Sequence, residues 1–573
     1  MAENATGTLF ANPVKRVLQV IKLEKNEITS VYFYAILNGL IQLSLPLGIQ
    51  SIISFVLGGT ISTSLIVLIC LVVLGVFING LLQVNQMRII EKVQQKIFVR
   101  YSFAFADRIP RLNLQALDGK YLPETVNRFF DTVILQKGIS KLLLDIPAST
   151  IQIIFGLILL SFYHPIFIFF GISLLLIVFG ILHFTSARGM QSSLEESDYK
   201  YGVAGWLEEM ARVIKSFKFS RNTTLNIEKN DRLVTGYLKS RTTHFNILLS
   251  QYWTLIAFKV IITAAMLIVG SYLLVNQQIN IGQFIAAEIV ILMVISSVEK
   301  LIINLDKVYD VLTSAEKLGK VIDLPVEAEG QFEINENSKG LSIAMTQVKF
   351  SYSPGELPVL NQVSLLVKAN EKICVMGRAG SGKSTLLRLL TGVYRQSEGS
   401  IFINDLPIAD YKLDSLRSSI GILFSQQDIF EGTLLENIQM GNKEISPNTI
   451  LLLAEKIGLK KHIAILPGGF NTRLDPAGKK LSQKIIQKIL LLRALVGNPG
   501  LLLLEEPFAG IEEEPRHMII DYLLHQTPNQ TVMVSSNDIE FAAQCDKVIF
   551  LQDGSVKAFG KWNDIRELIK KQA

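Results

Sequence analysis

The sequence predicts an α-helical membrane domain of six transmembrane helices followed by an α/β domain. Three observations predict this. Long apolar runs come in pairs, and all of them lie in the first half of the 573 residues. Hydrophobic residues make up 49% of the chain and charged residues only 18%, an apolar balance that points to a membrane portion. From Leu341 onward, short strand-like runs such as "LSIAMTQVKFSY" and "KICVMG" alternate with helical ones, the texture of an α/β domain. The expected boundaries are an interfacial segment over 1–28, a membrane domain with long cytosolic helical extensions over 29–325, a polar linker over 326–340, and the α/β domain over 341–573.

No cleavable signal pattern is expected at the N-terminus. The segment "NPVKRVLQVIKLEKNEI" (Asn12 to Ile28) places Val14, Val17, Leu18 and Ile21 at helical spacing between Lys15, Arg16, Lys22 and Lys25. That suits a helix lying in the cytosolic interface before the first span. The spans then read as Thr29 to Leu57, Ser64 to Leu82, Leu142 to Phe162, Pro165 to Phe184, Leu248 to Leu274 and Ile281 to Val298. The short loops between paired spans carry no Lys or Arg. The loops on the other side carry many, among them Arg88, Lys92, Lys96 and Arg100, then Arg188, Lys200, Arg212, Lys215 and Lys218. The positive-inside rule therefore puts both termini and the long loops in the cytosol. Those loops, about 83–141 and 185–247, are polar but periodic. They read as helices that continue about 25 residues, or nearly 40 Å, below the bilayer, with turns expected at Leu112 to Gly119 and Gly205 to Val213.

Two ionisable residues fall inside the spans, Lys259 and Glu288. They either line a pathway or face protein and water without touching a substrate; their depths argue against a direct pair. Cys70, Cys374 and Cys545 cannot form a disulfide framework and read as small buried hydrophobes. The net charge of +6 is modest, and with no aromatic-plus-basic motif the chain is not expected to bind nucleic acid.

The chemistry lies in the second half. "GRAGSGKST" follows the apolar strand "KICVM" and precedes "LLRLL", a complete G-x-x-x-x-G-K-S in strand–loop–helix context. Gly377, Arg378, Ala379, Gly380, Ser381 and Gly382 form the loop whose N–H groups converge on phosphates. Lys383 adds a point charge, Ser384 a hydroxyl for Mg²⁺, and Thr385 opens the helix. The domain thus reads as a P-loop NTPase that binds ATP. A second buried strand, "LLLLEEP", ends in Glu505 and Glu506. The first acid can hold Mg²⁺ through water, and the second can polarise an attacking water.

Nearly the whole chain resembles an ATP-binding cassette (ABC) transporter of the exporter type, a half-transporter with its membrane domain first. "LLRALVGNPGLLLLEEP" and "FEGTLLENI" carry the likeness, and "IGQFIAA" is similar to the bacterial type I secretion and peptide-exporter branch. No N-terminal peptidase domain is expected. The resemblance implies a dimer, homo- or heteromeric, in the bilayer of the bacterial inner membrane, with two ATPs sandwiched head to tail, and a periplasmic adaptor as a further partner. It implies that Tyr352 stacks on adenine. Gln426 in "FSQQDIF" is the Q-loop glutamine and joins Ser384 and Glu505 at the metal, although a gapless match puts Ser425 there and Gln427 is adjacent. Ser482 is the signature serine, and the turns in the long loops resemble coupling helices.

The sequence departs from the family at several positions. The signature LSGGQ reads "LSQKI", with Gln483 and Lys484 in place of glycines. The Walker B aspartate is Glu505, the D-loop aspartate is Glu512, and the switch histidine is Asn537. An asparagine reaches less far and never carries charge. Glu506, Gln426 and Asn537 are the expected catalytic set. Two functions stay open: an exporter subunit with slow hydrolysis, and a non-pumping subunit that uses ATP as a regulatory or structural ligand.

Overall fold

The computed structural model describes residues 13–572 except 60–62, 118–120, 221–222, 336–338, 354 and 426. It divides into two compact units. Of the described residues, the first holds those within 13–110 and 121–324, the second those within 111–117 and 325–572. Residues 111–117, assigned from the sequence to the membrane domain, therefore cluster with the α/β unit.

Among the described residues, six helical stretches are long and apolar enough to cross a membrane: Lys25–Leu57, Thr63–Arg111, Leu122–Tyr163, Phe167–Arg212, Leu225–Val275 and Ile281–Ile322. A helix satisfies its own backbone groups, which is what a lipid environment demands. Large side chains such as Phe162, Phe179 and Ile268 are exposed along them, as surfaces meant for lipid should be. The first stretch breaks at Leu43 into Lys25–Gln42 and Ser44–Leu57. The cause is Pro46, which has no N–H for the carbonyl of Gln42. The last span starts cleanly at a capping box in which Asn280 and Gln283 bond each other's backbone N–H groups.

The turn expected near Gly205 to Val213 falls at the last residue of that stretch. The helix Phe167–Arg212 runs straight through "GWLEEMAR" and stops at Val213, before a short helix Ile214–Phe219. Glu, Met, Ala and Arg are strong helix formers, and one glycine among them costs too little to break the run. The expected turn at Leu112 falls in place as 3-10 turns at Ile109–Arg111 and Gln115–Leu117. The N-terminal helix Pro13–Leu23 buries Val20. Beyond it, the buried Glu24 accepts from Lys96 Nζ at 2.9 Å and Arg100 Nη2 at 2.7 Å, anchoring the start of the first span. Lys259 pairs with Glu299 at 3.3 Å rather than with Glu288.

The second unit is built on a six-stranded sheet. Its order is Ser555–Gly560, Lys547–Gln552, Lys372–Met376, Thr531–Ser535, Leu501–Glu505 and Ile420–Leu423. All neighbours are parallel except the first pair. Three central strands are buried at every position, so they read as continuous apolar runs rather than alternating ones. A separate four-stranded antiparallel sheet holds Ile343–Phe350 between Leu360–Val367 and Glu398–Ile403. Within this unit Leu112 bridges Val326, Gln115 Oε1 accepts from Arg395 N at 3.1 Å, and Arg417 grips Glu327 through two bonds of 2.7 Å.

The sheet leaves little slack. A Cβ on Gly421 would lie 2.1 Å from the carbonyl oxygen of Ala494. Gly421→Ala is therefore expected to destabilise the α/β unit by about 1–3 kcal/mol, read as a lowered melting transition of the purified chain. An unchanged transition would show that the strand and the helix above it can part freely.

Candidate nucleotide site

The site forms where parallel strands end. The strand Lys372–Met376 runs out at Gly377, the loop turns through Gly380 and Gly382, and the helix Lys383–Leu389 begins. The turn needs its glycines. Gly380 and Gly382 have φ of 81° and 97°, and a Cβ on Gly382 would meet the Leu360 side chain at 2.7 Å. Lys383 Nζ donates to the carbonyls of Gly377 at 2.6 Å and Arg378 at 3.1 Å, so its ammonium lies over the loop. Burial lowers its pKa, against the pull of Glu506 and Glu505. The buried Ser381 hydroxyl finds no hydrogen-bond partner among the described residues. A cradle of N–H groups with a cation and an orphaned hydroxyl fits a phosphate chain.

The neighbouring strand Leu501–Glu505 delivers the paired acids. Glu505 is buried. Its Oε1 accepts from Ser384 Oγ, and its Oε2 from the backbone N–H of Ser425 at 3.1 Å. The extra methylene lets one carboxylate bind the phosphate-loop helix and the loop after Ile420–Leu423 together. A hydroxyl beside a carboxylate also fits Mg²⁺, which takes one or two protein oxygens and draws the rest from phosphates and water. Glu506 follows with φ 45°, a left-handed conformation that is strained for a non-glycine residue. Its N–H donates to the Ser535 carbonyl at 2.8 Å, and its own carbonyl accepts from Gln487 Nε2 at 3.1 Å. Burial pushes the Glu506 carboxyl above its ordinary range, while Lys383 and Ser536 pull it down.

Tyr352 packs edge-on against Phe350 and Tyr394, with centroids 4.9 and 5.3 Å away, and its hydroxyl lies 3.0 Å from Thr385 Oγ1. The ring is thereby brought beside the phosphate-loop helix. Gln426 lies outside the described residues. The Gln427 side chain turns inward and accepts from Phe424 N at 3.1 Å, and the gapless candidate Ser425 meets Glu505 only through its backbone N–H. Asn537 reaches the loop itself, where both ends of its amide bond Gly377 at 3.1 Å. An expected catalytic side chain is thus engaged by backbone.

Ser482 lies elsewhere, at the exposed start of the helix Gln483–Leu495, where its hydroxyl accepts from Ile485 N. Beside it, Lys484 pairs with Glu512 at 3.0 Å. Sequence reasoning noted both departures but not that they meet. Their opposite charges were the available signal. Both side chains are exposed, so a double-mutant cycle on Lys484→Ala and Glu512→Ala should return a coupling of only about 0.2–1 kcal/mol in chemical unfolding. A coupling well above that range would mean that the pair is a structural clamp.

Comparison with known proteins gives this geometry a family. The ABC transporter transmembrane region matches residues 29–298, and the ABC transporter domain matches 360–509. The leukotoxin translocation ATP-binding protein LktB of Mannheimia haemolytica is 29% identical over 299 residues, 52% of this chain and 42% of the relative. The alpha-hemolysin translocation ATP-binding protein HlyB of Escherichia coli O6:H1 is 28% identical over 302 residues, with the same coverage. The match thus spans about two fifths of these relatives' length. A solved structure described as a bacterial Atm1-family ABC exporter with ATP bound has the same fold, with a TM-score of 0.84 at 19% identity over 96% of this chain and 98% of that one. With a transmembrane region and an ATP-binding domain both matched on one chain, the protein is a multi-pass membrane protein of the ABC transporter family.

Proposed function

We propose that the chain is an ABC exporter half-transporter, which binds MgATP at a dimer interface and couples it to outward transport of a substrate across the bacterial inner membrane. The observation that carries this is the complete phosphate loop beside Glu505 and Glu506 in a chain with six membrane-crossing stretches. In this reading both termini are cytosolic, and 29–325 and 341–573 are the working domains. A second half-transporter, identical or different, completes each site, and a periplasmic adaptor is a further partner. Lys383 and the loop N–H groups hold the phosphates. Ser384 and Glu505, with Gln426, hold Mg²⁺. Tyr352 contacts the adenine, Ser482 serves the partner's ATP, and Glu506 is the base for water.

Hydrolysis is slow in this reading. Gln483 and Lys484 put side chains where the family's glycines let a phosphate approach a helix N-terminus. Losing well-aimed donors of that kind costs about 10²–10³ in rate. The engagement of Asn537 by Gly377 favours a second reading, in which the subunit binds ATP as a regulatory or structural ligand and gates a pathway or a partner.

Transport and steady-state ATPase of the purified assembly separate the two. An exporter loses both with Lys383→Ala and with Glu506→Gln. A regulator loses function with Lys383→Ala but keeps it with Glu506→Gln. If the signature limits the rate, Gln483→Gly with Lys484→Gly raises turnover on the order of 10²-fold; no gain would place the limit elsewhere. The raised Glu506 pKa also has a signed consequence. A base works only when deprotonated, so the acid limb of the rate profile should lie above the ordinary carboxylate range. An acid limb that persists unchanged in Glu506→Gln would remove Glu506 as the base.

A further inference from the structure

Asn537 follows the buried strand Thr531–Ser535, and its amide meets one residue twice. Its Oδ1 accepts the N–H of Gly377 at 3.1 Å, and its Nδ2 donates to the carbonyl of the same Gly377 at 3.1 Å. This is the reciprocal donor-and-acceptor pairing that backbone groups make across a ladder. Only glycine fits at this position. A Cβ there would lie 2.3 Å from the carbonyl oxygen of Leu551 and 2.6 Å from Ser381 Oγ, at a φ of 153°. Asn537 is steadied in turn by its neighbour. Asp538 caps the helix Ile539–Gln544 through Phe541 N at 3.0 Å, and Arg516 Nε donates to its Oδ2 at 2.8 Å.

We propose that Asn537 is a positioning residue of the phosphate loop, which pins the first glycine by a paired amide contact and does not act on the γ-phosphate. The Gly377 carbonyl also accepts from Lys383 Nζ at 2.6 Å. When that ammonium turns to a phosphate, Asn537 leaves the carbonyl with a donor and keeps the loop in register. An uncharged amide supplies one donor and one acceptor in a fixed plane. A carboxylate would set an acceptor against the carbonyl, and alanine would leave the Gly377 N–H unpaired, and its carbonyl too once the Lys383 ammonium turns to a phosphate. Such a role serves the phosphates common to ATP and ADP. A γ-phosphate contact would serve ATP alone. The inference rests on the reading of this loop as the nucleotide site.

The test is equilibrium binding of ADP and of MgATP to the full-length purified chain, with melting of the nucleotide-free protein alongside. Asn537→Asp, nearly isosteric, and Asn537→Ala should each weaken ADP and ATP by a similar factor. Two hydrogen bonds set it at about tenfold, with little change in the nucleotide-free melt. ADP affinity equal to wild type in Asn537→Asp overturns the proposal, whether or not ATP weakens. A comparable loss of affinity explained by a large drop in the nucleotide-free melt overturns it too, since the role would then be general stability. Lys383→Ala is the control for the underlying reading. If wild type binds neither nucleotide, or Lys383→Ala binds both unchanged, the loop is not the site and both ideas fall. If only the Asn537 variants behave as wild type, this inference alone fails.

Discussion

The carboxylate of Glu505 holds the nucleotide-binding unit together at the point where it matters. It stands at the end of a strand buried on both faces, so its position is set by the sheet and not by a loop. One oxygen takes the Ser384 hydroxyl and the other the Ser425 N–H. A buried carboxylate without such partners would be costly, so the two contacts satisfy the acid and also tie together the helix after the phosphate loop and the segment after Ile420–Leu423. The neighbouring acid inherits its place from the same strand end, and the hydrogen bond to Ser535 steadies its left-handed backbone.

The departures from the family pattern do not act alike. Glu505 for aspartate is accommodated, since the longer arm spans two partners. Lys484 and Glu512 answer each other with opposite charge, at an exposed place where such a pair is worth little. Asn537 for histidine is engaged in a new pairing with Gly377. None of these disturbs the sheet or the phosphate loop. In the proposed function the cost falls instead on Gln483 and Lys484, which would meet another chain's nucleotide, and binding and turnover separate there.

In the membrane unit the governing constraint is different. Every backbone group of a span must be satisfied within it, so interruptions need a named cause, and the break at Leu43 has one in Pro46. Ionisable groups near the spans find partners across helices, as Lys259 does with Glu299. Residues 111–117 show the limit of reasoning by chain order. They lie between two membrane stretches, yet their bonds to Pro325, Glu327 and Arg395 group them with the α/β unit.

Local patterns in the sequence determined the six apolar stretches, the buried parallel strands, the phosphate loop and the paired acids. Each depends on hydrophobic run length or on glycines at fixed spacing, which act over a few residues. Tertiary structure alone decided what those residues touch. The turn expected over Gly205 to Val213 falls at the end of that stretch, at Val213, because helix propensity over several residues outweighs one glycine. The partners of Lys259, Lys484, Tyr352 and Asn537 are separated from them by 28 to 160 positions, and no periodicity reports a contact at that range. Ser425 meets the strand end through its backbone N–H to Glu505, and Gln427 folds back on Phe424 through its side chain, contacts that no local pattern encodes.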